Sequence, residues 1–527
     1  GVAAGTVARS LSAYDMQLSD ATYGQAKRYV TQERVRQMLE TEYSVLEQTI
    51  RETKGPETRF FAFATTLAAK AYMSDRECEG WVGLTFQHEA GAERSTVMLH
   101  VRMCDDTAPK QGEAIGFLGT NLIYLCNTVS DPYLISSFLL DGIAAGRLEI
   151  DYVDFSGPKW PAGSVDMRLL AMRMVQFRVA VSVLLDYDAE TGRYQQVVPN
   201  TALYKRSLVV QRSRFRPVTY AHQEVMKAAS RQLDAEQDPD AKPAMNILNL
   251  QIDDIVRPAG LVKTEGRLER TRKLAEADTD GDGMLTLDEL RELVSDRMAE
   301  DDVEVLLKEV DVEGTGKVEV DALLSMSPGS ILVTEFLDRF NMVEPLKFPV
   351  LVSGVRRTHK LAQYLARYTK MPIAIVIGGG NYNIQRALFD KAAYKVEQGG
   401  MLAAFGRLFA QNVRLFQYPN ITPEGDVVPI VLSDDPASLL HSYFIEEGSI
   451  VVVKEQHMSP EAADKATNLP FRGQSEDVMR LISEGSSEWE QYVPKEVTEI
   501  VRKRSWFSRL SSGKGMARSL YEILNEL

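Results

Sequence analysis

At 527 residues, with 44% hydrophobic and 25% charged side chains, the chain has a globular composition and length enough for about two to four domains, which excludes a disordered or fibrous polypeptide. Its net charge of −14 argues against a general nucleic-acid-binding surface. No apolar run approaches the roughly 18 residues that cross a bilayer, which excludes an integral helical membrane protein.

The chain opens at Gly1 and not at Met, as removal of an upstream presequence would leave it. Residues 1–57 place Val30, Val35, Met38, Leu39, Tyr43 and Leu46 at helical spacing and predict one or two helices. A short helix is expected over Phe60–Ala71. The period then shortens: Thr96–Met103 and Leu148–Phe155 alternate as strands do, and Ala114–Cys126, apolar with Gly116 and Gly119 inside it, reads as another strand. On Leu148–Phe155, Glu149 and Asp151 share a face, a pair suited to acid–base work, although a solvated strand face accounts for them better. A helix over Asp166–Phe177 starts at Ser164 or Asp166, and a buried strand over Ala180–Asp186 ends in a turn at 189–192. Strands at Leu208–Gln211 and Met245–Ile252 flank a helix at His222–Leu233.

Arg212, Arg214 and Arg216 alternate with Ser213 and Phe215, so an extended backbone would point three guanidiniums to one side. That makes an anion site, and a solvated strand end reads equally well. The cysteines, Cys78, Cys104 and Cys126, are odd in number and lack CxxC spacing, which fits a reducing compartment.

The most specific stretch is Asp278–Glu289, DTDGDGMLTLDE. Asp278, Asp280 and Asp282 stand at positions 1, 3 and 5 of a calcium loop, Gly283 at the sharp bend, Met284 at the position that offers a backbone carbonyl, Thr286 at the water-mediated position, and Glu289 at the closing bidentate position. Apolar residues at helical spacing precede and follow it. A partner loop at Asp311–Ala322 keeps Asp311 and Gly316 but has Thr315 at position 5 and Ala322 at position 12. It is expected to bind no calcium and to complete an EF-hand pair by setting Val318 against Leu285. The acidity of the chain belongs here, since residues 264–325 hold 19 Asp and Glu against 8 Lys and Arg.

Beyond Pro328 the α/β texture resumes: helix Val333–Phe340, strand Pro349–Ser353, helix Thr358–Tyr368 and strand Pro372–Ile377, which enters Gly378, Gly379 and Gly380. That glycine turn could let a backbone approach a phosphate, but the GxGxxG spacing fails at Asn383. Helix Met401–Phe409, strand Val413–Tyr418, helix Leu439–Glu446 and strand Ile450–Val453 follow, then helical texture. The closing segment Arg502–Arg518 holds six basic residues and no acidic ones, with Trp506, Phe507 and Leu510 among them, a pattern suited to an anionic membrane surface or an acidic partner.

The runs MLHVRM, GEAIGFLGTNLIY, EIDYVDFSGP, VDMRLLAMRMVQ, LYKRSLVVQRSRFRPVT, AQYLARYT, GGMLAAFGRLFAQNVRLFQYP and EWEQYVPKEV are scattered over most of residues 58–505 outside the calcium module. Together they resemble an uncharacterised family of cyanobacteria and plastid-bearing algae, often labelled nicotinate-nucleotide adenylyltransferase or TonB-dependent receptor. Neither label has its motif here: the six histidines are isolated, with no HxGH, and no barrel alternation is present. The resemblance implies a chloroplast location, soluble or peripheral to thylakoids, with the calcium pair an addition to the family pattern.

The expectation is an α/β protein of two α/β lobes (58–258 and 330–458) with an inserted all-α EF-hand pair (264–326), a helical segment at 1–57 and a helical, basic one at 459–527. Its expected function is a calcium-binding interaction or scaffolding protein with a protein partner in a larger assembly and no nucleic acid. The alternative is a calcium-regulated enzyme acting on a nucleotide or other phosphorylated small molecule.

Overall fold

The computed structural model describes residues 16–54, 58–70, 78–213, 215–252, 279, 284–286, 288–289, 292, 317–319, 329–378, 388–389, 394, 398–410, 412–421, 427–428, 436–459 and 475–504. The chain enters through helices α1 (Met16–Tyr23) and α2 (Gln32–Lys54). An antiparallel meander follows in sequence order: β1 (Phe61–Ala68), β2 (Glu79–Phe86), β3 (Ser95–Met103) and β4 (Leu148–Ser156). Alternation along these strands sorts side chains to two faces. Ala62, Ala64 and Met98 meet Val35, Leu39 and Tyr43 of α2. Val82, Leu84, Val97 and Leu99 point the other way, into a core shared with α3 (Ala108–Thr128).

Two elements here differ from the sequence expectation. Residues 61–68 form a strand and not a helix, because Phe61, Ala62, Phe63 and Ala64 alternate outward and inward and pair with β2 from Phe61↔Phe86 to Ala68↔Glu79. Residues 114–126 lie within α3 and not in a strand, since Ala114, Ile115, Leu118, Leu122, Leu125 and Cys126 recur every three or four positions on its buried side. The glycines that suggested a broken strand have different roles. A Cβ on Gly119 would stand 2.8 Å from the Phe63 ring, so this glycine lets the helix close on β1, whereas a Cβ on Gly116 would meet no atom of the described residues within 4 Å.

The rest of the chain builds a second sheet. After α4 (Pro132–Phe138) and α5 (Met167–Gln176), the latter capped by Asp166 as expected, come β5 (Ser182–Asp188) and β6 (Arg193–Val197), a hairpin around the expected turn with Gly192 at φ 68°. Then follow α6 (Pro199–Ala202), β7 (Leu208–Ser213), α7 (Tyr220–Ala235) and β8 (Met245–Gln251). The short strands β9 (Met284–Thr286) and β10 (Lys317–Glu319) pair with each other. Next are α8 (Gly329–Val343), β11 (Val350–Ser353), α9 (Thr358–Leu365), β12 (Ile373–Ile377), α10 (Gly400–Leu408), β13 (Val413–Gln417), the ribbon β14 (Asn420–Ile421) with β15 (Val427–Val428), α11 (Pro436–Glu447), β16 (Ile450–Val452), α12 (Ser475–Ser483) and α13 (Lys495–Arg504).

Eight strands form the second sheet, in the order β16-β13-β12-β7-β8-β11-β5-β6. From β16 to β11 all neighbours are parallel; β11–β5 and β5–β6 are antiparallel. Numbered by appearance in the chain, the parallel strands lie in the order 3-2-1-4-5-6, the doubly wound order. Parallel strands need covered faces. One face carries α7 and α8, through residues such as Met226, Ala229, Phe336 and Phe340 against Val209, Leu248, Val352 and Val376. The other carries α9, α10 and α11, through Leu361, Leu365, Phe405 and Phe444 against Val210, Leu351, Ile375 and Leu415.

The two expected lobes therefore do not make separate sheets. Strands β7 and β8 from the first pair directly with β12 and β11 from the second, because a parallel strand cannot take its partner through a tight turn. The hairpin strand β6 and the meander strands β1 and β2 were not anticipated as such.

In urea, Gly119→Val is expected to lower stability by about 1–3 kcal/mol, as its methyls press on Phe63, while Gly116→Ala is expected to be neutral or stabilising by up to about 1 kcal/mol. Equal effects of the two substitutions would show that α3 does not close on β1 at Gly119.

Candidate functional site

In a doubly wound sheet, ligands lie beyond the carboxyl ends of the strands where neighbouring connections leave to opposite faces. Here that place is between β7, whose helix α7 covers one face, and β12, whose following helix α10 covers the other. The sequence candidates at the end of β7 (Arg212 and Arg216) and after β12 (Gly378) are thereby brought to one sheet edge from more than 160 residues apart in the chain. Arg214, Gly379 and Gly380 lie outside the described residues; Arg212, Arg216 and Gly378 lie within them.

The arginines do not form the row that alternation suggested. Extended backbone ends at Ser213, Phe215 takes a left-handed φ of 49°, and the Arg216–Pro217 peptide is cis, so side-chain direction no longer follows the two-residue period. Arg212 is committed elsewhere. Its guanidinium donates to Gln251 Oε1 at 2.7 Å, to the Arg356 carbonyl at 2.8 Å and to the Val355 carbonyl, tying the ends of β7 and β8 to the connection after β11. Arg212 is thus a staple between three strand ends.

A Ser–His contact also sits here: Ser213 Oγ lies 2.9 Å from His222 Nε2, on the first turn of α7. It is not a catalytic dyad. His222 Nδ1 accepts the Thr219 N–H at 3.1 Å, so Nε2 carries the proton and donates to Ser213. Burial pushes the His222 pKa down to about 4, so the ring is neutral and faces the serine as a donor, unable to take its proton. No sequence motif marked this pair, although Thr219 followed three residues later by His222 has the spacing of a capping box.

The calcium-loop candidates divide likewise: Asp278, Asp280 and Asp282 lie outside the described residues, and Met284, Thr286 and Glu289 within them. Val318 pairs with Leu285, the register expected, and Leu285 is fully buried. The Glu289 carboxylate folds back over the loop, accepting from Thr279 N and Oγ1 at 3.0 and 2.5 Å and from Thr286 N and Oγ1 at 2.9 and 2.8 Å. Hydrogen bonds led by the Thr279 hydroxyl hold its pKa at about 2. Among the described residues no three metal-ligating side chains come together, and no helix is long and apolar enough to cross a membrane. In the basic C-terminal segment, Arg502 is paired with Glu490 at 2.6 Å and residues 505–518 lie outside the described residues.

Glu149 and Asp151 are not on a solvated face. Both are buried on the α2 side of the meander. The pairing shifts between His100↔Tyr152 and Val101↔Ile150, which leaves Asp151 as the extra residue of a bulge, aimed at His100. His100 Nδ1 lies 2.6 Å from Asp151 Oδ1; Arg102 donates to Glu149 at 3.2 Å and to the Tyr368 hydroxyl at 3.3 Å, and Arg367 reaches Glu149 at 3.4 Å. Burial acts to lower the His100 pKa, but Asp151 and then Glu79 outweigh it and raise it above its ordinary value. Burial raises the Glu149 pKa, with Arg102 and Arg367 opposing. Three carboxylates meet three cationic side chains, so the network is neutral when His100 is protonated. It anchors the meander to the turn before β12. The sequence missed it because its members come from residues 79, 100, 102, 149, 151 and 367.

No protein-family model matches the chain, and no curated protein matches it.

Because the folded pKa of His100 lies above 6.5, its contribution to stability is complete below about pH 6.5 and fades as pH rises through the raised value. Asp151→Asn is expected to cost about 3–5 kcal/mol, the penalty for breaking a buried pair, and to flatten that part of the pH–stability curve. A His100 ring resonance that titrates at or below pH 6.5 in the wild type would refute the assignment.

Proposed function

We propose that the protein is a calcium-binding regulatory protein whose metal loop is mounted on the ligand-binding edge of a doubly wound sheet. The observation that carries this reading is the placement of Glu289: the carboxylate at the last loop position reaches across ten residues to Thr279, beside the first ligand position of the motif. A bidentate closing carboxylate must turn back in this way and stay ionised, and its hydrogen bonds favour both. The residues that would hold the ion are Asp278, Asp280 and Asp282, the Met284 carbonyl, Thr286 through water, and Glu289. When bound, calcium supplies a hard positive charge that draws about six to eight oxygens together. The fully buried Leu285 beside Val318 supports the pairing of this loop with a second, ligand-poor one.

The mounting supports a regulatory role. The insertion falls between β8 and α8, in the connection from the second parallel strand to the third. Gln251, the last residue of β8, holds the Arg212 guanidinium, which also holds the connection after β11. A rearrangement that pulls on this stem would thus act on three strand ends together.

Calorimetry on the full chain is expected to show one calcium site, and Glu289→Ala to weaken it by about a hundredfold or more, since it removes two of the ligand oxygens. Two tight sites, or unchanged binding by Glu289→Ala, would overturn the reading.

A further inference from the structure

Beyond the calcium reading, the crevice between β7 and β12 has unspent hydrogen-bonding groups of its own. Extending the parallel registers Val376↔Gln211 and Ile377↔Gln417 by one or two residues puts Ser213, Gly378 and Tyr418 in a row across the sheet edge, on the face covered by α7. The middle member has no side chain, and a Cβ built on it would meet no atom of the described residues within 4 Å. With strands about 4.8 Å apart, the notch between Ser213 and Tyr418 is roughly 10 Å wide at the backbone.

Its walls are polar. Gln211, one step below Ser213 on the same face, is 5% exposed and its Oε1 has no hydrogen-bond partner among the described residues; Tyr418 is equally buried and its hydroxyl has none among them either. Buried polar atoms in native proteins are satisfied by protein, water or a bound molecule, and two orphans flanking one notch point to an occupant. Ser213 adds a third group. Its oxygen accepts from His222 Nε2 and from the Phe215 N–H at 3.3 Å, so both lone pairs are used and its own O–H remains as a donor at the strand end.

We propose that this notch binds a phosphorylated small molecule that also carries hydroxyl or amino donors, with the phosphate accepting from the Ser213 and Tyr418 hydroxyls and a donor of the ligand meeting Gln211 Oε1. Nucleotides and sugar phosphates share this chemistry. Dinucleotides do not fit it: residues 213–219 contain no glycine, so the first strand lacks the turn that lets a backbone approach a pyrophosphate.

The test is isothermal titration of the full chain in calcium-free buffer containing a chelator, so that failure of the calcium loop leaves the result unaffected. Separate arms use AMP, ATP with magnesium, ribose 5-phosphate, inorganic phosphate and adenosine. At least one of the first three is expected to bind, and adenosine and phosphate to bind much more weakly. Gly378 has no left-handed φ and open space beside it, so Gly378→Val should keep the wild-type melting temperature while weakening the ligand about tenfold or more. Gln211→Leu, which removes the orphan acceptor, should weaken it as well. The proposal is overturned if none of the phosphorylated compounds binds at millimolar concentration, if adenosine binds as well as AMP, or if folded Gly378→Val binds like the wild type.

Discussion

Parallel strands cannot be joined by tight turns, and most of this structure follows from that constraint. Each of the first five parallel strands must send the chain over a face of the sheet before the next can pair, so the helices are divided between faces. Reversal of the winding between β7 and β12 leaves one place where the connections part. The same constraint makes the edge tolerant of insertion. A crossover is already long, and closure entropy grows only with the logarithm of loop length, so lengthening the one between β8 and β11 costs about 0.6 kcal/mol per doubling. An acidic module can therefore enter a doubly wound sheet without disturbing its strands.

The two large polar investments of the fold have different consequences. Arg212 satisfies two backbone carbonyls and a glutamine at the strand ends, where partial exposure keeps the charge hydrated, and it holds three connections in fixed relation. The network around His100 and Arg102 is buried, and burying charge is costly unless every member is paired. Its balance depends on His100 being protonated, which ties the junction between meander and sheet to pH. The protein thus carries a rigid staple at the edge where ligands would come and a titratable joint on its far side.

How much of this was legible in the sequence follows from where the information lies. Apolar runs such as IAIVI at 373–377 and VLVS at 350–353 reported β12 and β11 correctly, because strands buried on both faces are apolar throughout. That β12 should lie beside β7 could not be read from either strand, so one sheet was taken for two lobes. Residues 114–126 and 61–68 were misassigned because short apolar stretches do not distinguish periods of two and 3.6 when glycine and alanine dilute them. The pairing of Leu285 with Val318 was legible because aligning the two loop motifs by their positions sets these residues opposite each other. The solvated reading of Glu149 and Asp151 failed because burial is decided by partners far along the chain. At the candidate crevice, composition marked the arginines and glycines, whereas the groups that best define the notch, Gln211, Ser213 and Tyr418, are ordinary residues made informative only by their unpaired atoms.

These placements bear on where the proposed calcium module joins the sheet. Of the crossovers at the carboxyl edge, the one from β8 to α8 leaves the sheet from the strand beside β7, next to the Arg212 staple, whereas the notch lies over the end of β12, between Ser213 of β7 and Tyr418 after β13. An insertion after β12 would have obstructed the notch itself. An insertion after β13 would have been separated from the staple by β12. On the proposed reading, a module joined after β8 that changes shape would pull on Gln251 and, through Arg212, on the end of β7 that carries Ser213. Coupling of this kind requires only that two arrangements of the strand end differ in free energy by an amount comparable to one charge-assisted hydrogen bond, roughly 1.5–3 kcal/mol. Arg212 supplies several such bonds at the strand ends.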